Sequence, residues 1–323
     1  MTIRIYRTKH SMKHDLGPEH PESPNRLFAI DDQLLASGVE MVCEHADATP
    51  IADAYLSLAH APHYIKQVFD QANTLSDDNP LVWLADDTGL VKGSLTAALE
   101  SAGAGCNAVD WVMQGTDRQG FCLTRPPGHH ATYDSAMGFC IFNNIAIAAR
   151  YALQNYQLQR VAIVDFDVHH GNGTEHIIAG DQRIMMCSSF QHPFYPHSGS
   201  PVLASNILSV PIEAGATGDV FRTKVAHWFD ALINFKPQLI FLSAGFDGHA
   251  EDPMAHLRLT EDDYYWLSKK LRNVADMCCE GRIVSLLEGG YDNSALGRSV
   301  VAHLKGLASP TTPPPENSNG GQQ

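Results

Sequence analysis

Basic residues are scarce in this chain of 323 residues: 22 Lys and Arg stand against 36 Asp and Glu, a formal charge of −14. That balance, with no run of Lys or Arg, argues against a general nucleic-acid binder and suits a cationic or neutral ligand. Cysteine is present but unorganised. The seven thiols (Cys43, Cys106, Cys122, Cys140, Cys187, Cys278 and Cys279) are odd in number, scattered and without C-x-x-C spacing. A disulfide framework or a thiolate zinc site is therefore disfavoured, and reduced, buried thiols are expected. No stretch approaches membrane-spanning length, and the opening MTIRIYRTKH has no apolar signal core. The expectation is a cytoplasmic protein without membrane or direct nucleic-acid contacts.

What the chain does have is strand alternating with helix along its length. Apolar, β-rich runs fall at Ile3–Tyr6, Val39–Cys43, Phe121–Thr124, Val161–Val164, Ile184–Ser188, Ile207–Val210, Leu239–Ser243 and Ile283–Leu287. Several are continuously apolar, as in strands covered on both faces of a parallel sheet. Helical patterns fill Ser94–Met113, with an early Ser cap, then Asn143–Gln154, Asp219–Ile233 and Thr260–Cys279, which opens on a Thr cap and an acidic turn. One three-layer α/β/α domain over residues 1–308 follows. The Pro/Gly/polar tail at 309–323 is expected to be disordered.

The densest chemistry lies in VDFDVHHGNG, Val164 to Gly173. Asp165, Asp167 and His169 alternate, so an extended backbone turns all three to one face at a strand's carboxyl end. Two carboxylates and an imidazole suit a divalent metal with open positions. Three more loops follow strands: RPPGHHA with His129 and His130, AGFDGHAEDP with Asp247, and EGGYD with Tyr291 behind Gly289 and Gly290. A turn former would explain Asp247 alone, and a satisfied core phenol Tyr291 alone. In a parallel sheet all four loops share one edge, where such sheets place their sites.

These blocks, with GFCIFNN (Gly138–Asn144) and HPESPNR (His20–Arg26), resemble the zinc-dependent histone deacetylase family. The likeness runs over nearly the whole chain in the family order; Asn172 resembles the class II branch, and the short chain and FQHPFYPHSG at the rim resemble its bacterial-type amidohydrolases. It implies the arginase/deacetylase fold, with a central, mainly parallel sheet of eight strands. It also implies one catalytic zinc on Asp167, His169 and Asp247, and His130 as general base. His129 would be the second histidine, with Asp165 orienting it and Asn172 behind His130. Tyr291 would be the oxyanion donor. A structural potassium would take Asp165, Ser188 and the carbonyls of Asp167 and His169. Gly138, Phe139, Tyr195, Gly289 and Gly290 would shape the substrate tunnel. Tyr195 and His197 depart from the usual Phe and Gly; Arg26, Asp86 and Asp87 match more loosely.

The substrate implied is an acyl-lysine protein or peptide, with acetylpolyamines as the alternative; the polyamine branch leaves a homo-oligomer open. Two other readings remain. An arginase-like binuclear manganese hydrolase would need a carboxylate where Gly171 stands. A non-catalytic acyl-lysine scaffold would have no use for the full set of His129, His130 and Tyr291.

Overall fold

The structure, a computed structural model, describes residues 2–309. Of the expected tail only Ser309 falls within the described residues. Among the described residues ten strands form: β1 (Ile3–Arg7), β2 (Cys43–Asp47), β3 (Leu81–Ala85), β4 (Thr88–Val91), β5 (Gln119–Leu123), β6 (Val161–Asp165), β7 (Ile184–Gln191), β8 (Ile207–Ile212), β9 (Ile240–Ala244) and β10 (Ile283–Leu287). Eight of them make one sheet in the order β2-β1-β5-β10-β9-β6-β7-β8. Every pairing in it is parallel.

Alternation along each strand feeds two separate cores. On β6, Ala162 and Val164 pack into one and Val161 and Ile163 into the other; on β9, Ile240 and Leu242 oppose Phe241 in the same way. The helices Asn25–Ser37, Gly218–Val225, His227–Phe235, Glu261–Cys279 and Asn293–Ala308 cover the first face. Asp53–Leu56, Pro62–Ala72, Ser94–Gln114, Asn144–Asn155 and Asn172–Ile178 cover the second. Burial on both faces is why these strands read as unbroken apolar runs.

Strand order positions the chemistry. After β5 the chain crosses to β6 and leaves a gap, which β10 and β9 fill from the far end of the sequence. The four strands that precede the four polar loops are therefore consecutive neighbours: β5, β10, β9, β6. Asp165 is in register with Ser243 on one side and Ser188 on the other.

Some expectations need correction. Val39–Val42 is a 3₁₀ turn and the strand begins at Cys43. Gly38, at φ +73°, ends the preceding helix by turning the chain back, and Val39 alone then reaches the core. The pattern at 219–233 divides into two helices around Ala226, where Phe229 N–H meets Ala226 O at 3.4 Å. Gly93, at φ +104°, caps the helix at 94–114, while the Ser94 hydroxyl accepts Val91 N–H. The antiparallel hairpin β3–β4, with Asp86 and Asp87 at its turn, was not expected.

One buried group sets a pH dependence of stability. His303 lies between the hydroxyls of Ser268 (2.6 Å) and Ser285 (2.9 Å), and burial lowers its pKa from 6.5 to about 3. Unfolded histidine takes up a proton that the native ring refuses. Its contribution is thus complete above about pH 6.5 and is lost as pH falls toward 3, at up to about 1.4 kcal/mol per pH unit. His14 and His60, lowered to about 4 by burial, act in the same sense. Urea unfolding of His303→Gln between pH 6 and 4.5 should show a shallower pH slope than wild type; an unchanged slope would refute the assignment.

Candidate active site

Asp165 ends β6, and the chain, expected to stay extended, instead bends at 167–169, where Asp165 Oδ1 accepts Asp167 N–H at 3.2 Å and Asp167 Oδ1 accepts His169 N–H at 2.9 Å. Asp247 arrives from the loop after β9. One ligand atom each from Asp167, His169 and Asp247 lies within 4.8 Å of the others, and all three residues are buried. His169 Nδ1 stands 3.3 Å from Asp167 Oδ1 and 3.1 Å from Asp247 Oδ2. The carboxylates are also fixed by backbone: Gly289 N–H donates to Asp167 Oδ2 at 2.8 Å and Val168 N–H to Asp247 Oδ1 at 2.9 Å.

Glycine makes this packing possible. A Cβ at Gly289 would overlap the Asp247 carboxylate, one at Gly245 that of Asp167, and one at Gly171 that of Asp165. Gly289 and Gly290 accordingly sit behind the carboxylates and at a left-handed turn (Gly290 φ +122°), not along the cavity wall.

Two carboxylates in so small a volume repel. Burial and then Asp167 push the Asp247 pKa up. Burial lowers the basicity of His169, but its bonds to Asp167 and Asp247 win, and its pKa rises to about 10. The trio thus draws positive charge, and its donor set of two carboxylates and one imidazole fits a divalent cation such as zinc.

The tandem histidines follow β5, with ring centroids 4.0 Å apart. His129 Nδ1 meets Asp165 Oδ2 at 3.0 Å; His130 Nδ1 meets Asn172 Oδ1 at 2.7 Å. The two rings are pushed in opposite directions. For His129, burial is outweighed by Asp165, Asp167 and Glu288, and its pKa rises to about 10. For His130, burial and then the positive potential of His129 and His169 lower it well below 6.5. An amide oxygen only accepts, so Nδ1 of His130 carries the hydrogen and Nε2 is left as a free base.

A cavity of about 260 Å³ opens onto these groups, lined by Asp87, His130, Gly138, Phe139, His169, Phe194, Tyr195, Met254 and Tyr291. Phe139 lies edge-on to Tyr291 at 5.9 Å, and Tyr195 edge-on to His130 at 5.3 Å. Asp87 ties the walls together: it accepts Gly138 N–H at 3.0 Å and the Tyr195 hydroxyl at 3.2 Å. Its neighbour Thr88 accepts Phe139 N–H at 3.0 Å, holding Phe139 at a φ of +68°. The Gly138 carbonyl accepts the Cys140 thiol. Asp86 and His197 are exposed.

Ser188 Oγ bonds His170 Nδ1 at 3.0 Å, beside Asp165 in the neighbouring strand. Arg26 donates to the carbonyls of Gly290 (2.7 Å) and Glu288 (2.5 Å) and to Glu22. Sequence reasoning passed over Phe194, Met254 and Glu288. The last gives a signal only in the fold: its buried carboxylate accepts the N–H groups of Gly128 (2.7 Å) and His129 (3.1 Å) and the Ser243 hydroxyl (3.1 Å).

An all-parallel eight-stranded sheet with this cluster at its central strand ends defines the arginase/deacetylase class of α/β proteins. The chain belongs to the histone deacetylase family: the family model for the histone deacetylase domain matches residues 20–307. It is 33% identical to a histone deacetylase-like amidohydrolase of Pseudomonas aeruginosa, over 91% of this chain and 79% of that one. An uncharacterised Synechocystis protein is 35% identical, over 94% and 99%. The crystal structure of the HDA15 HD domain superposes with a TM-score of 0.87 at 29% identity, covering 95% of this chain and 89% of that chain. The chain spans only 21% and 28% of two Dictyostelium discoideum type-2 histone deacetylases that it matches. Among the described residues, no helix is long and apolar enough to cross a membrane.

Glu288→Ala would strand two buried N–H groups and a hydroxyl. It should cost on the order of 3 kcal/mol of stability, read as a lower denaturation midpoint; a loss below about 0.5 kcal/mol, the size of an ordinary surface change, would contradict this role.

Proposed function

We propose that this protein is a zinc-dependent amidohydrolase that removes acetyl or other acyl groups from lysine side chains. The observation that carries the reading is that an imidazole base (His130), a phenol (Tyr291) and His169 of the cation-attracting trio line one aromatic cavity. Zinc held by Asp167, His169 and Asp247 would supply Lewis acidity to the attacking water and the acyl carbonyl. The chain supplies the rest. His130 takes the water's proton at Nε2 and later hands it to the leaving amine. His129, kept cationic beside Asp165, balances the negative charge that develops. The Tyr291 hydroxyl donates to the carbonyl oxygen as it gains charge. Phe139 and Tyr195 grip the methylenes of the extended arm.

One metal rather than two is supported at Gly171, where Asp165 leaves no room for a bridging carboxylate. Asp165, Ser188 and the carbonyls of Asp167 and His169 are our candidates for a structural potassium, on the strength of the β6–β7 register. Acetylpolyamines are the second substrate class, favoured by Asp87 at the cavity and by the acidic balance of the chain.

The test is kcat/KM of the zinc-loaded protein on acetyl-lysine peptides, longer acyl-lysine peptides and acetylpolyamines. Turnover of the first two is expected; inactivity on all three would leave a binding scaffold. Tyr291→Phe should lower kcat by roughly 10²–10³, the loss typical of one oxyanion donor, with KM little changed. Asn172→Asp sets a carboxylate against His130 and raises its pKa. The acid limb of the kcat/KM profile should therefore move to higher pH; an unmoved limb would remove His130 as the base.

A further inference from the structure

Tyr291 follows two glycines, so its own chain segment does little to hold it still. What holds it comes from another loop. The Asp252 carboxylate, 6% exposed, accepts Tyr291 N–H at 2.6 Å and Asp292 N–H at 3.1 Å on Oδ2. Its Oδ1 accepts the N–H of Met254 at 2.9 Å, and Met254 lines the cavity beside Tyr291. One buried carboxylate therefore joins the loop after β9 to the loop after β10.

The support is pinned independently of what it supports. Asp252 N–H donates to His249 O at 3.0 Å, and that loop is closed by Ala250 N–H to Leu259 O (2.9 Å) and Leu259 N–H to Gly248 O (3.1 Å). On the other side, Arg26 holds the carbonyl of Gly290, and Asp292 Oδ1 caps the last helix through Ala295 N–H at 2.8 Å. Without Asp252, two adjacent N–H groups next to a left-handed glycine would lose their acceptor.

We propose that Asp252 is a positioning residue for the deacylation reaction: by clamping the Tyr291–Asp292 backbone it holds the phenol where the carbonyl oxygen becomes charged. This rests on the function proposed above. An oxyanion donor acts only if it is already in place, so the clamp governs kcat more than substrate binding.

The test combines Asp252→Ala, Asp252→Asn and Tyr291→Phe, all in the full chain. Asp252→Ala should lower kcat by roughly 10–100-fold with KM and zinc affinity within about two-fold of wild type. Asp252→Asn, whose amide oxygen can still accept the two N–H groups, should restore most of the loss. In the Tyr291→Phe background Asp252→Ala should cost less than about two-fold, because residues acting through one group are not additive. Amide exchange supplies a readout independent of turnover: Tyr291 and Asp292 should lose protection in Asp252→Ala and regain it in Asp252→Asn. Unchanged exchange, or an equal loss of kcat in the Tyr291→Phe background, would overturn the clamp. If the wild-type protein hydrolyses none of the acyl substrates, the functional reading falls while the exchange data still decide the clamp.

Discussion

Asp167 and Asp247 would repel each other in any compact arrangement, yet the sheet forces them together at the ends of β6 and β9. Much around them follows from that constraint. Backbone N–H groups of Val168 and Gly289 are spent on their oxygens. Residues 245 and 289 are glycines because any side chain there would enter the space the carboxylates need. His169 and His129 surround the pair with positive charge, and burial first and then that charge suppress protonation of His130.

A second layer of buried charge holds the loops. Glu22 accepts two bonds from Arg125 and one from Arg26, and these cations keep its pKa near 2 against the penalty of burial. Arg26 reaches from there to the carbonyls of Glu288 and Gly290, and Glu288 reaches on to the loop of the tandem histidines. Buried ion pairs of this kind add little net stability against an apolar alternative, although removing one partner is costly. Here they connect the N-terminal HPESPNR segment, the β5 loop and the β10 loop into one frame. Asp252 extends it to the β9 loop.

The parts legible in the sequence were those encoded over a few residues. Seven of the eight apolar runs marked strands of the sheet, because strands covered on both faces need no partner to look buried. D-x-D-x-H predicted one face of an extended segment; the structure brings Asp167 and His169 to Asp247, but through bends at 167–169 rather than by strand alternation. Val39–Val42 misled because a β-branched run also serves a tight turn after Gly38. The hairpin β3–β4 was invisible, since β3 is only partly buried without clear alternation and β4 is only four residues long. Asp87 consequently had no place until the hairpin set it between the two aromatic walls. Glu288 and Asp252 looked like loop acids; only partners 159 and 39 residues away in the chain give them work.

The sequence by itself determined the class of sheet, the family, and which side chains could do the chemistry. Each of those depends on residue type and short spacing. Tertiary structure decided which loops meet, because β9 and β10 enter the gap between β5 and β6 from the far end of the chain. It also decided the opposite proton affinities of two adjacent histidines. His129 and His130 are identical in composition and neighbours in sequence. Around His129 the charges of Asp165, Asp167 and Glu288 outweigh burial, whereas burial and then the charge of His129 and His169 lower His130; electrostatics acts through those few ångströms of space, not along the chain.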